Sequence, residues 1–288
     1  MASDPALIAI VGPTASGKTS LALSIAEQFN GEIICADSRT VYKDMDIGTA
    51  KPSIEEQARI RHWGLDIVTP GERFTAADFK EYALAAIDDI RSRGKLPLFV
   101  GGTGLYVDAV LYDFSFAELP SVIDRKKYEG MSVGGLVNYC YNNNVMLPEN
   151  HKNKRHLITA IERKSVSSIS KSALPDNFYV VGIATNKTTL RTRIVDRSEQ
   201  LFQNGVAKEA TILGEKYGWD NEAMTGNVYP LIRRYLQGEL SMEQVKDMFS
   251  TLDSKLAKRQ MTWLRRNPDI MWATLHDAEQ YISSLVTD

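Results

Sequence analysis

The sequence predicts an α/β fold: a parallel sheet flanked by helices and interrupted by a helical insertion. Three observations predict it. Short apolar, β-branched runs alternate with stretches of helical periodicity, a glycine-rich turn joins the first run to the first helix, and the strand rhythm vanishes between residues 115 and 177.

The elements follow in order. Ala6-Leu-Ile-Ala-Ile-Val11 is a strand buried on both faces, and Ser20 to Phe29 carries apolar residues at helical spacing. Ile33 to Ala36 is a second buried strand, ending at Asp37. Between Ala76 and Arg93, Phe79, Tyr82, Ala83, Ala86, Ile87 and Ile90 fall on one helical face. Leu96 to Val100 is a third strand, ending at Gly101-Gly102, and Phe178 to Ala184 is a fourth. The segment 115–177 has asparagines at 142–144, a serine-rich end at 165–172, and helix-like LVNYCY and LITAIERK. We therefore expect a core of 1–114 and 178–288 around a helical insertion of 115–177. After about Lys187 the remainder reads as helical.

Composition narrows the class. At 288 residues and 43% apolar, the chain can bury a sizeable core, which excludes disordered and collagen-like classes. Its two cysteines, Cys35 and Cys140, are too few for a disulfide framework or a zinc cluster. The N-terminus lacks a basic region and the run 6–11 is too short to span a membrane, so a soluble, cytoplasmic, membrane-free protein is expected; a monomer is the expected state. The net charge of −2 announces no nucleic-acid binder. Locally, however, Lys255, Lys258, Arg259, Arg265 and Arg266 fall between Ser254 and Pro268 without one acid, and 115–177 holds nine basic residues against six acidic. Such runs form either a solvated face or a nucleic-acid footprint.

Gly12-Pro13-Thr14-Ala15-Ser16-Gly17-Lys18-Thr19 satisfies G-x-x-x-x-G-K-[ST] after a strand and before a helix, the context a phosphate loop requires. Glycines let the backbone wrap the anion, the N–H groups and the helix N-terminus attract it, Lys18 adds a point charge, and the Thr19 hydroxyl can ligate Mg²⁺. The sheet is thus of the P-loop NTPase-like type. The pattern does not specify a nucleoside triphosphate. The third strand ends in Gly-Gly where a hydrolytic enzyme has a metal-binding Asp, and Asp66 is a weak substitute. Asp37 is better placed, since the carboxyl ends of parallel strands form the ligand crevice, which Thr19 and Thr103 would also reach. An Asp there could equally cap a turn.

Four further motifs, DSRTVYKDMDIGTAKP at 37–52, HWGLDIV at 62–68, GGTGLY at 101–106 and LAKRQMTWLR at 256–265, together resemble the tRNA dimethylallyltransferases, as does GPTASGKT itself. The resemblance covers most of the chain in the family's motif order. It implies that the loop holds the diphosphate of dimethylallyl diphosphate, that Mg²⁺ is the cofactor, and that the prenyl group passes to the exocyclic amine of an adenosine beside the anticodon of tRNA. It further implies that Asp37 is the base, that Thr103 lies beside the reacting amine, and that Arg193 clamps the diphosphate, with Arg197 as its rival four residues on. Asp37, Ser38, Arg39, Thr40, Thr103, Lys258, Arg259 and Gln260 are implied to contact the tRNA anticodon stem–loop. Trp263 reads as core packing.

The chain departs from the family in its acceptor-facing parts. His156 and Thr159 replace two arginines, Asp253-Ser254 replaces Thr-Arg, Val228-Tyr229 stands for Gly-Tyr, and the insertion is shortened. Three other readings remain open from the sequence: prenyl transfer to free AMP, ADP or ATP, a small-molecule P-loop kinase, and a non-catalytic tRNA-binding protein.

Overall fold

The computed structural model describes residues 5–114, 125–148, 150–162 and 172–287. The chain divides into two compact units, Met1–Asp113 with Ala173–Asp288, and Phe114–Ser172.

The first unit holds strands β1 (Leu7–Val11), β2 (Gly31–Ala36), β3 (His62–Trp63) and β4 (Leu96–Gly101), interleaved with helices α1 (Lys18–Gln28), α2 (Ile54–Arg59), α3 (Ala76–Ser92) and α4 (Gly104–Leu111). The second unit contributes α5 (Arg125–Glu129), α6 (Val133–Asn142) and α7 (Lys154–Glu162). The first unit resumes with β5 (Phe178–Ile183), α8 (Lys187–Gln203), α9 (Val206–Tyr217), a 3₁₀ turn at Ala223–Thr225, α10 (Tyr229–Leu236), α11 (Met242–Leu264), β6 (Ile270–Ala273) and α12 (Leu275–Thr287).

All six strands form one parallel sheet in the order β3-β2-β4-β1-β5-β6. β1 is central because every residue of LIAIV is buried, and alternation sends its side chains to two different cores. Leu7, Ala9 and Val11 join Ile34, Phe79, Phe99 and Tyr106 under α3 and α4, with Phe79 and Tyr106 stacked at 3.9 Å between ring centroids. Ile8 and Ile10 join Ile25, Ile33, Leu98, Val181 and Ile282 under α1 and α12. Helix α3 starts at a reciprocal capping box between Thr75 and Asp78 and buries Phe79, Ala83, Ala86, Ile87 and Ile90, the predicted stripe. Tyr82 is only half-buried, its hydroxyl accepting the Gly64 N–H at 3.2 Å.

Glu32 is the charged residue inside β2. With its surface 2% exposed, it receives Arg93 Nη2 at 2.7 Å, Lys95 Nζ at 2.8 Å and Trp63 Nε1 at 2.9 Å. Arg93 above all holds its carboxyl down at about 2.

Two strands lie outside the sequence reading. β3 is only two residues long, and β6 corrects the expectation that everything after Lys187 is helical. β6 pairs with β5 from Val180↔Ile270 to Ile183↔Ala273 and forms an edge of the sheet.

The second unit has its own core of Tyr128, Leu136, Cys140, Val145, Leu157, Ile158 and Ile161. The predicted LVNYCY helix lies within α6, capped by Ser132 on the Gly135 N–H, and LITAI belongs to α7. Residues 163–164 of that second stretch, and the serine-rich segment apart from Ser172, lie outside the described residues. His156 is exposed and Thr159 half-buried.

Candidate active site at the carboxyl edge of the sheet

A cavity of about 1180 Å³ opens within the first unit, at the carboxyl ends of β1, β2 and β4. The loop after β1 forms one wall. Ala15 (φ 61°) and Gly17 (φ 94°) take left-handed backbone conformations that fold it back on itself, and α1 begins directly at Lys18. A Cβ at Gly17 would also lie 2.8 Å from Leu275 Cδ1. Lys18 is half-buried and donates to the Pro13 carbonyl at 3.0 Å. Burial pushes its ammonium down to about 8, against the opposing pull of Asp37. Thr19 is exposed in the cavity, and the Ser16 hydroxyl is buried without a hydrogen-bond partner.

Helix α8 supplies both candidate arginines. Arg193 Nη1 donates to the Ser16 carbonyl at 3.0 Å, while Arg197 Nη1 donates to the Thr14 hydroxyl. Spaced four apart, they share one helix face aimed at the loop. On the same helix Glu199 pairs with Lys246 at 2.8 Å.

Asp37 and Thr103 line the same cavity. Asp37 Oδ1 accepts the Arg39 N–H at 2.8 Å, closing a tight turn after β2. Thr103 accepts the Ser38 N–H at 3.2 Å, so the turns after β2 and β4 are tied beside Asp37. Gly101 permits this approach, since a Cβ there would sit 2.1 Å from the Ala36 carbonyl oxygen. Cys35 also lines the cavity, but burial pushes its thiol up to about 12, which removes it as a thiolate nucleophile.

The expected acceptor-side residues differ in what already holds them. The Arg39 guanidinium holds the Glu222 carbonyl at 2.9 Å and the Thr225 hydroxyl at 3.1 Å, and Thr40 is buried. Lys258 and Arg259 are exposed, as are Lys255, Arg265 and Arg266, and none of the five is in an ion pair among the described residues. Gln260 is half-buried and turned to the phosphate loop, its Oε1 accepting the Thr14 N–H at 2.8 Å.

Trp263 requires correction. It is 40% exposed rather than core, lies flat against Gly104, and donates Nε1 to Asp108 at 2.9 Å. Asp66 pairs with Lys51 at 2.6 Å and is not among the residues that line the cavity.

The segment 46–48 is held by Glu209 of α9, whose carboxylate accepts the N–H groups of Asp46, Ile47 and Gly48 at 2.9, 2.6 and 2.8 Å and the Tyr229 hydroxyl at 3.0 Å. Sequence reasoning missed this clamp. It also missed the buried Asp253 in the cavity wall, which accepts Asn227 Nδ2 at 2.8 Å. The replacement of Thr-Arg by Asp253-Ser254 was the one signal for it.

The described residues contain no group of three or more His, Cys, Asp or Glu that could hold a metal ion, and no helix long and apolar enough to cross a membrane.

Comparison with known proteins gives the family. A family model described as IPP transferase matches residues 40–267. The chain is 40% identical to the tRNA dimethylallyltransferase of Acetivibrio thermocellus, over 92% of this chain and 90% of that protein. It is 35% identical to the tRNA dimethylallyltransferase of Streptococcus uberis, over 98% and 94%. The solved tRNA isopentenylpyrophosphate transferase of Bacillus halodurans superposes with a TM-score of 0.75 at 31% identity, covering 99% of this chain and 97% of its own. Sequence along most of its length and fold along nearly all of it agree: this chain belongs to the IPP transferase family.

Proposed function

We propose that the protein transfers a dimethylallyl group from dimethylallyl diphosphate to the exocyclic amine of an adenosine beside the anticodon of tRNA, releasing diphosphate. The observation that carries the reading is that the phosphate loop with Lys18, Thr19, Arg193 and Arg197 shares one cavity with Asp37 and Thr103. A leaving-group site and a proton-accepting site thus share one crevice.

In this reading the amides of 12–19, Lys18 and an arginine of α8 take up the negative charge that develops as the carbon–oxygen bond to diphosphate breaks. The amine nitrogen forms the new bond to carbon and passes a proton to the Asp37 carboxylate, while Thr103 orients the amine. A base must leave its stack to enter so recessed a site.

The donor set suits Mg²⁺. Thr19 offers one hard hydroxyl oxygen in the cavity, and this ion is commonly held by one or two protein oxygens together with substrate phosphates. Thr19 would hold it, and it would supply positive charge beside the leaving diphosphate.

The exposed basic ridge of α11 and the insertion unit, with its exposed His156, are assigned to the RNA. That ridge favours a tRNA acceptor over free AMP. A metal-binding carboxylate at the end of β4, which a kinase would need, is absent, since that strand ends in Gly101.

The test is transfer from labelled dimethylallyl diphosphate to an anticodon stem–loop, with AMP and ATP as rival acceptors. Asp37→Ala should lower turnover about 10²–10⁴-fold and leave diphosphate binding intact. Equal prenylation of AMP, or turnover that requires ATP, would overturn the reading.

A further inference from the structure

Gln260 shares a helical turn with Lys258 and Arg259, yet its contacts are of another kind. Its Oε1 takes the main-chain N–H of Thr14, across 246 positions of sequence. Its Nε2 lies over the turn after β4: a Cβ at Gly102 would sit 2.5 Å from that nitrogen and 2.7 Å from the Gly12 carbonyl oxygen. The carboxamide therefore fills the seam between the phosphate loop and the Gly101–Thr103 turn. Thr14 is held at both polar ends, because its hydroxyl is taken by Arg197. Thr14 lies immediately before Ala15, where the backbone enters its left-handed turn. An N–H deprived of its acceptor at that point would turn toward another partner and carry Ala15 and Ser16 with it.

We propose that Gln260 is a positioning residue for the diphosphate loop and not a reader of RNA. It fixes the shape of the anion cradle through Thr14 and touches neither acceptor base nor phosphate. The basic residues beside it, Lys258 and Arg259, are the part of α11 that meets the acceptor. This rests on the proposed function for the identity of the ligands, but the assignment itself is measurable with inorganic diphosphate.

Two variants separate the alternatives. Gln260→Ala removes the side chain, and Gln260→Met keeps its length and bulk while removing the acceptor oxygen. Affinity for inorganic diphosphate is measured by calorimetry without RNA, affinity for an anticodon stem–loop by titration over a range of salt, and KM for each substrate separately. Both variants should weaken diphosphate binding by about 5- to 100-fold, on the scale of an unsatisfied buried N–H. The donor KM should rise alike, while stem–loop affinity and its salt slope stay within twofold of wild type. Wild-type diphosphate affinity in Gln260→Met, or a loss confined to the stem–loop, overturns the proposal. Equal loss of both affinities with a lowered Tm also overturns it, in favour of a general structural role. Transfer by the wild-type protein is assayed in parallel. Its failure would sink the function while leaving the diphosphate measurement to decide the role of Gln260.

Discussion

The ammonium of Lys18 donates to the carbonyl oxygen of Pro13 within its own loop, at 3.0 Å. Burial holds it at about 8, so in the free protein it loses its charge near the upper end of the neutral range. Only the protonated form attracts a diphosphate. Affinity for a prenyl diphosphate should therefore fall as pH rises through about 8, and binding above that pH should take up a proton. Lys18→Arg keeps the charge at every accessible pH and should lose this part of the profile. Calorimetry in buffers of different ionisation enthalpy checks both expectations.

The exposed ridge of α11 predicts a salt effect. Lysines and arginines that neutralise phosphates make affinity fall with salt through counterion release. Removing Lys258 and Arg259 together should weaken stem–loop binding and flatten the plot of log affinity against log salt by up to about two units of slope. Diphosphate affinity should not change. An unchanged slope would return the ridge to a solvated face.

Glu32 links stability to acid. Its carboxyl, ordinarily at 4.5, is held at about 2, so the stability it contributes is complete above the ordinary value and drains away as pH falls toward 2. Glu32→Gln should lower stability at neutral pH by about 1–3 kcal/mol, after allowing for the partly exposed Arg93 and Lys95. Thermal melts of the two proteins should converge as the buffer is taken from pH 5 toward 2. A constant difference across that window would refute the linkage.

Gly104 opens α4 directly after Thr103, and a Cβ there would lie 2.2 Å from Trp263 Cδ1. Gly104→Ala should cost about 1–3 kcal/mol, as overpacking does, and lower the Tm by several degrees. Because Thr103 occupies the N-terminal position of the same helix, turnover should fall as well.

The interior of the sheet was legible because β1, β2, β4 and β5 each carry a run of apolar, largely buried residues, a pattern local sequence carries. The edges were not. His62–Trp63 is too short to show any period, and Ile270–Ala273 follows Pro268 and Asp269 so closely that it read as part of a helical tail. The site divides in the same way. The loop 12–19, Asp37 and Thr103 follow their strands directly, so chain order alone places them. The partnership of Thr14 with Arg197 and Gln260 joins residues 183 and 246 positions apart, and no local pattern encodes it. Trp263 was misplaced because helical spacing beside the buried Leu264 does not tell which flank of α11 faces α4.

The clamp of Glu209 on 46–48 gives the molecule a second cradle of convergent main-chain amides, and this one is already filled. Such amide groups attract anions wherever they converge. At 46–48 a tethered carboxylate cancels that attraction, and a free phosphate would have to displace an ion held at high effective concentration. At the phosphate loop the chain's own acceptor is the uncharged carboxamide of Gln260, which restrains the backbone without spending its positive field. Of these two sets of converging amides, one is plugged with a charge and the other is braced by a neutral group, which leaves its field to the diphosphate proposed above.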